Sequence, residues 1–218
     1  LWGDSIHSAG GSGHALIDAL YTVPETHEMY VAHLRALMER MLESPQTPPG
    51  ERLLEARLEE LYDAMAPDVA ADVAKWGPPA WGKPFDFRKG LERLRFKYLD
   101  PRREHLFRTH GPAGLGTLPP ANPDPAIRIS RVEGDPSSGD QDAEYLELFN
   151  DGSLAADLSG WSVAGGVDFT FPAGTVCRAG ASLYLSPDVR RFRQRSMSPT
   201  GGEGRFVVGP VVGHVKKG

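Results

Sequence analysis

The hydrophobic period of this chain changes once, and that change divides what it can fold into. From Pro24 to Phe107 the apolar residues recur every three or four positions, the spacing of one helical face. From Ala126 onward they alternate every second position, the spacing of a half-buried strand. Between the two lies GPAGLGTLPPANPDP, residues 111–125, whose five prolines and three glycines continue neither a helix nor a central strand. A chain of 218 residues has room for two small domains. The expected organisation is α+β in two units: a helical subdomain over 1–110, a Pro/Gly linker over 111–125 and a β-sandwich over 126–218.

In the first unit a helix is expected from Pro24, proline being suited to the first helical position. Tyr30, Leu34, Leu37, Met38 and Met41 form its stripe, and SPQTPPG (residues 44–50) ends it. Leu54, Leu58, Leu61, Tyr62 and Met65 mark a second helix. Pro67 opens a third, with Val69, Val73 and Trp76 on one side. GPPAWGKP reads as a rigid linker, followed by a helix from Phe87 to Tyr98. Asp100-Pro101 reads as the cap and first turn of a last helix. The methionines and aromatics sit at core spacing, so packing is their expected role.

In the second unit Ile127 and Ile129, Leu146 and Leu148, Val167, Phe169 and Phe171, and Leu183 and Leu185 each occupy alternate positions. Asn150-Asp151-Gly152 and Pro172-Ala173-Gly174 supply turns between them. Short strands at regular spacing with turn signals between them argue a sandwich.

The charge excludes a nucleic-acid footprint. The whole chain carries −5; residues 1–120 hold 14 Lys/Arg against 17 Asp/Glu, and the remainder is also net acidic. No apolar run approaches the ~20 residues of a membrane span. The single cysteine, Cys177, forms no intramolecular disulfide and reads as a buried structural thiol. The chain starts with Leu1 and ends VKKG, so a piece of a longer protein is expected.

No catalytic constellation is apparent. The GGSG run near the start lacks the Lys and Ser/Thr of a phosphate-binding loop. Asp4, Ser5 and His7 hold the residue types of a hydrolase triad, but as near neighbours in a glycine-rich loop. His27 and His33 are six apart and do not share the spacing of a helical zinc motif. Asp135, Asp140, Asp142 and Glu144 offer the oxygens calcium takes, without the glycine and spaced glutamate of a helix–loop–helix site; a solvated acidic loop is the favoured reading. Arg190, Arg191, Arg193 and Arg195, with Phe192 among them, are the one basic cluster and the best candidate binding feature. The plainer reading is a loop or short helix with Phe192 tucked into the sandwich.

The stretch EYLELFNDGSLAADLSGW, with VDFTFPAGTV and ASLYLSPD, resembles the lamin tail domain. Its motifs fall on Glu144, Tyr145, Glu147, Leu148 and Asn150; on Asp157, Leu158, Ser159, Gly160 and Trp161; on Phe171, Pro172 and Gly174; and on Ala179 and Gly180. The resemblance implies an immunoglobulin-like sandwich. Trp161, after a tight turn, is expected to plug one end of the core, and Asn150-Asp151-Gly152 is expected to turn a hairpin. The usual closing segment is replaced by GPVVGHVKKG, so the final strands are expected to be missing or altered, exposing a sheet edge.

The helical half is similar to the C-terminal helices of the spore-coat CotH kinase-like family: a Val-Pro-Glu start, Asp72, Trp76 and Gly77 ending one helix, and a terminal Arg-Arg helix. Trp2-Gly3 looks like the pair that follows that family's metal-binding aspartate. This implies a bacterial, exported or cell-surface parent whose ATP- and magnesium-binding and catalytic residues lie upstream of Leu1. Catalytic, cofactor and metal residues are accordingly expected to be absent from this chain, leaving a structural and binding module for docking or anchoring, with a protein or cell-surface polymer as partner. The alternatives are that the chain completes an active protein kinase, or that the sandwich binds carbohydrate or polyanion.

Overall fold

A computed structural model describes residues 15–77, 86–200 and 204–214. Expectations placed on the glycine-rich start, Trp2-Gly3, Asp4, Ser5, His7, the body of GPPAWGKP and the final KKG lie outside the described residues. The chain is α+β in two compact units. One takes in described residues of 35–120; the other combines 15–34 with those of 121–214, so the boundary falls inside a helix.

Six helices are described: α1 (Ala15–Thr22), α2 (Pro24–Leu37), α3 (Leu53–Trp76), α4 (Phe87–Arg93), α5 (Asp100–Glu104) and α6 (Val189–Arg193). Wider π-type turns prolong α2 over Met38–Leu42, α4 over Leu94–Leu99 and α5 over His105–Thr109. α1 was not expected from the sequence, and two expected breaks do not occur. The second and third helices are one, α3, with Pro67 inside it. Proline costs a helix interior about 3 kcal/mol. Here alanines at 64, 66, 70, 71 and 74, the best helix formers, surround it. Asp100 does not cap: its backbone is helical, and its carboxylate accepts from Arg103 at 2.8 Å and Arg52 at 3.0 Å.

The helical unit buries charge at its centre. Arg103 is 1% exposed; it donates to Leu42 O (2.9 Å) and to Glu55 Oε1 (2.7 Å), and Glu55 is the one fully buried residue of α3. Arg52 donates from Nε to Thr47 O at 2.8 Å and from a terminal nitrogen to Asp100. Two arginines thus hold the 43–52 segment, whose prolines supply no N–H, by its carbonyls. Met38, Leu91 and Leu106 are buried as their spacing implies, and Leu42 and Leu99 are buried with them. Met41, Leu61, Met65, Trp76 and Leu94 are exposed, contrary to the packing role expected of them, because no described element of that unit covers their faces.

In the other unit β1 (Ile127–Glu133), β2 (Tyr145–Asn150), β7 (Ser182–Leu185) and β8 (Phe206–Val208) form a sheet in the order β1-β2-β7-β8, antiparallel except for the parallel β7–β8 pair. β3 (Ala156–Asp157) pairs β6 (Val176–Cys177), and β4 (Ser162–Val163), β5 (Val167–Thr170) and β9 (Val212–Gly213) form a third group. Leu146 and Leu148 of β2 face Leu185 and Leu183 of β7, and these four join Ala156, Leu158, Val167, Phe171, Cys177 and Val211 in one buried core. The period-2 reading of β2, β5 and β7 is thereby realised. β1 departs from it: the register shifts between Ile129 and Arg131, and Ile129 and Val132 are exposed at the sheet edge.

Three local expectations are corrected. Trp161 is 44% exposed, and Leu158, at 0%, fills the core instead. Gly160 takes a left-handed conformation (φ 76°) between them and turns the chain so that Trp161 leaves the core. Asn150-Asp151-Gly152 does not close a hairpin. Asn150 is fully buried, its Oδ1 accepting from Gly152 N (2.9 Å) and its Nδ2 donating to Leu154 O and Cys177 O, so the turn carries the chain from β2 to β3 in the other layer. Finally, residues 204–214 supply β8 and β9, which pair with β7 and β5 at edges expected to be bare.

Candidate binding surface

Asp188 Oδ1 accepts the N–H groups of Arg190 (2.7 Å) and Arg191 (3.1 Å), and so starts α6 directly after β7. Phe192, the only apolar residue in RRFR, is 0% exposed. It packs with Tyr145, Tyr184 and Val207 on the sheet face opposite the sandwich core. The ring centroids of Phe192 lie 5.7 Å from Tyr145, edge-on, and 5.3 Å from Tyr184. Burial pushes the Tyr145 hydroxyl up to about 12 and raises that of Tyr184, so both stay neutral near pH 7.

With Phe192 as the bolt, its neighbours turn outward. Arg190, Arg191 and Arg193 are exposed. Arg191 has a loose contact to Asp140 (3.8 Å), and no ion pair involving Arg190 or Arg193 is found among the described residues. Arg195 does not join them. Its guanidinium donates to Glu133 Oε2 (2.8 Å), to Pro199 O (3.1 Å) and to Ala143 O, and lies 4.9 Å over the Tyr145 ring. It ties β1, the 141–143 turn and the 196–200 segment together. The sequence cluster therefore splits into three surface cations and one strut. A groove of about 200 Å³ is lined by Arg191, of the three exposed arginines, with Asp140, Ser137, Ser138, Gln194 and Ser196 among others. Such a surface offers guanidinium and hydroxyl donors to an anionic ligand.

The other candidates are placed elsewhere. Asp140 caps the 141–143 turn by accepting from Asp142 N (3.1 Å), and Glu144 is fully buried, its Oε1 2.7 Å from His214 Nδ1. These acidic residues do not converge, and among the described residues no group of three or more His, Cys, Asp or Glu is placed to hold a metal. His33 lies 2.6 Å from Asp157, and His110 is buried against Thr117 (3.1 Å). Cys177 is buried in β6, and burial pushes its thiol up to about 11. Among the described residues no helix is long and apolar enough to cross a membrane.

The sandwich core, the buried Asn150 turn and the Gly160 turn all lie on the motif residues that define one known domain. Residues 120–204 match the lamin tail domain family. The matched segment covers β1 to α6 and ends before β8; its motif residues are structural, Tyr145 and Leu148 as core, Asn150 as a turn-former and Asp157 as acceptor for Ser159 N at 2.7 Å. No curated protein and no solved structure matches the chain. The matched segment carries the strands of the immunoglobulin-like sandwich from β1 to β7. Its arginine surface is carried by side chains of α6 between those motif positions and the end of the match. Their number signals the patch in the sequence; the loss of Arg195 to a strut has no sequence signal.

Proposed function

We propose that this chain is a non-catalytic docking module that holds its parent protein at a bacterial cell surface, through an anionic surface polymer bound by Arg190, Arg191 and Arg193. The observation that carries this reading is the outward presentation of three guanidinium groups by a helix anchored rigidly at Phe192 on a lamin tail domain. A rigid platform limits the entropy lost when a long side chain is engaged. Fixed charges on an otherwise acidic protein also direct association to one face. The chemistry needs no cofactor or metal: recognition is by charge-assisted hydrogen bonds to carboxylate, sulfate or phosphate groups. Retention of the chain on a matrix of immobilised anionic polysaccharide tests it. The unaltered chain should be held at low salt, and R190S/R191S/R193S should pass through; equal retention of the two would remove the arginine surface from the account.

The kinase-related role of the helical unit, with ATP, magnesium and catalytic residues supplied upstream of Leu1, rests on the sequence resemblance alone. Magnesium-ATP consumption by a protein with its upstream reading frame restored tests it, and absence of turnover would leave the docking role by itself.

A further inference from the structure

A second face of the sandwich carries a built recognition surface, and the chain's own α2 sits on it. Glu28 Oε1 accepts the N–H of Ala179 at 3.0 Å. The Arg178 guanidinium lies 3.8 Å from Glu28 and 4.0 Å from Glu25. His33 Nδ1 is 2.6 Å from Asp157 Oδ2, its ring N–H donating to the carboxylate. The sandwich side of this contact is set by its own turns. Asp157 Oδ1 already accepts Ser159 N at 2.7 Å, Ser159 Oγ accepts Gly174 N at 2.9 Å, and Gly180 (φ 62°) fixes the turn that presents Arg178 and Ala179. The receiving groups are thus preorganised by the same motif turns that build the domain.

The contact has the character of docking and not of core. Its anchors are polar and partly exposed: the His33 and Asp157 side chains are 26% and 11% exposed, those of Arg178 and Glu28 37% and 35%. A groove of about 410 Å³, lined by Glu25, Met29, Val176, Arg178 and Tyr184 among others, runs alongside. From Glu25 to His33 the anchors span about 12 Å of helix.

We infer that the edge formed by Asp157, Arg178 and the Ala179 N–H is a helix-docking site that α2 occupies in cis. The partner it fits is an amphipathic helix with carboxylates three residues apart and a histidine five residues after the second of them. Arg178 selects the carboxylate pair and rejects basic helices, the Ala179 N–H takes one carboxylate oxygen, and Asp157 requires a donor at the third position. Tethering gives α2 an effective concentration that a free helix must overcome, so the site is closed while α2 is seated.

The test uses the full chain and a labelled peptide with the sequence of residues 15–34, read by fluorescence anisotropy. In E25K/E28K/H33A the cis helix is released without altering the sandwich. The peptide is expected to bind this variant about tenfold or more tightly than it binds the unaltered chain. Adding R178E should abolish the gain. Hydrogen exchange at the α2 amides gives an independent reading: exchange should be faster in E25K/E28K/H33A and slow again when R178E is combined with E25K/E28K. Equal peptide binding to the released and unaltered chains overturns the inference, as does binding indifferent to R178E. Exchange at α2 that does not change in E25K/E28K/H33A also overturns it.

Discussion

Arg195 and its three neighbours look identical in the sequence and play opposite parts. Arg195→Ser removes the guanidinium between Glu133 and two carbonyls, leaving polar groups in a largely closed site. It is expected to cost about 2–4 kcal/mol, measured by urea denaturation. R190S, R191S and R193S each replace an exposed, weakly paired side chain and should stay within about 0.5 kcal/mol of the unaltered chain. Cys177 gives a pH prediction. Its folded thiol is raised from 9.0 to about 11 by burial, so the folded state holds its proton where the unfolded chain releases it. That contribution, about 3 kcal/mol, is complete below pH 9 and is lost as the pH rises through 11. The denaturation midpoint should fall over this window and fall less in Cys177→Ala, and alkylation at pH 8 should require unfolding. Trp161 shows where reading residues one at a time fails. A tryptophan after a tight turn has the size to fill a core, but the left-handed Gly160 decides which side chain points inward, and that backbone angle follows from the fold.

The strands were readable because a sheet with one buried face forces strict alternation, and Leu146, Leu148, Leu183 and Leu185 obey it. α6 was readable only as an option. Its cover of the opposite sheet face needs Tyr145 and Tyr184, which alternation alone assigns to solvent. β8 was not expected, because a parallel partner for β7 arrives through a connection that leaves no local signal. The helical elements mislead in a different way. α3 has a regular apolar stripe but buries Glu55, and Arg103 is among the most buried side chains of its unit; charged residues read as solvated until the fold pairs them. Arg103→Ala takes from Glu55 and Asp100 the closer of their two arginine partners, leaving only Arg52, and frees the buried Leu42 carbonyl; about 3–5 kcal/mol of stability should be lost. Close backbone approach gives a second prediction for an element. A Cβ on Gly209 would lie 2.2 Å from Ser186 O, where β8 leaves β7. Gly209→Ala should therefore disturb the β7–β8 pairing and lower the sandwich's melting temperature, whereas Gly50→Ala, with open space around it, should not.

Across the whole chain, the change of hydrophobic period located two kinds of architecture, and the lamin tail match falls on the second and on the end of the linker before it. What the period did not reveal is that residues 15–34 are grouped with the sandwich and not with the helices that follow them. The reason is physical: the groups that attach α2 are Glu25, Glu28 and His33, polar residues on a helix whose apolar stripe is all that periodicity reports. The proposed function follows the same division. Buried charge in one unit and motif turns in the other serve folding, and the proposed docking falls to the exposed arginines of α6. The most direct measurement is the affinity of the full chain for a soluble anionic polysaccharide at low and at physiological salt, compared with R190S/R191S/R193S. Binding that weakens with salt and is lost in the triple variant, with an unchanged melting temperature, is the expected result. Binding of equal strength by the variant, or no binding by the unaltered chain at low salt, would contradict the docking role assigned to this surface.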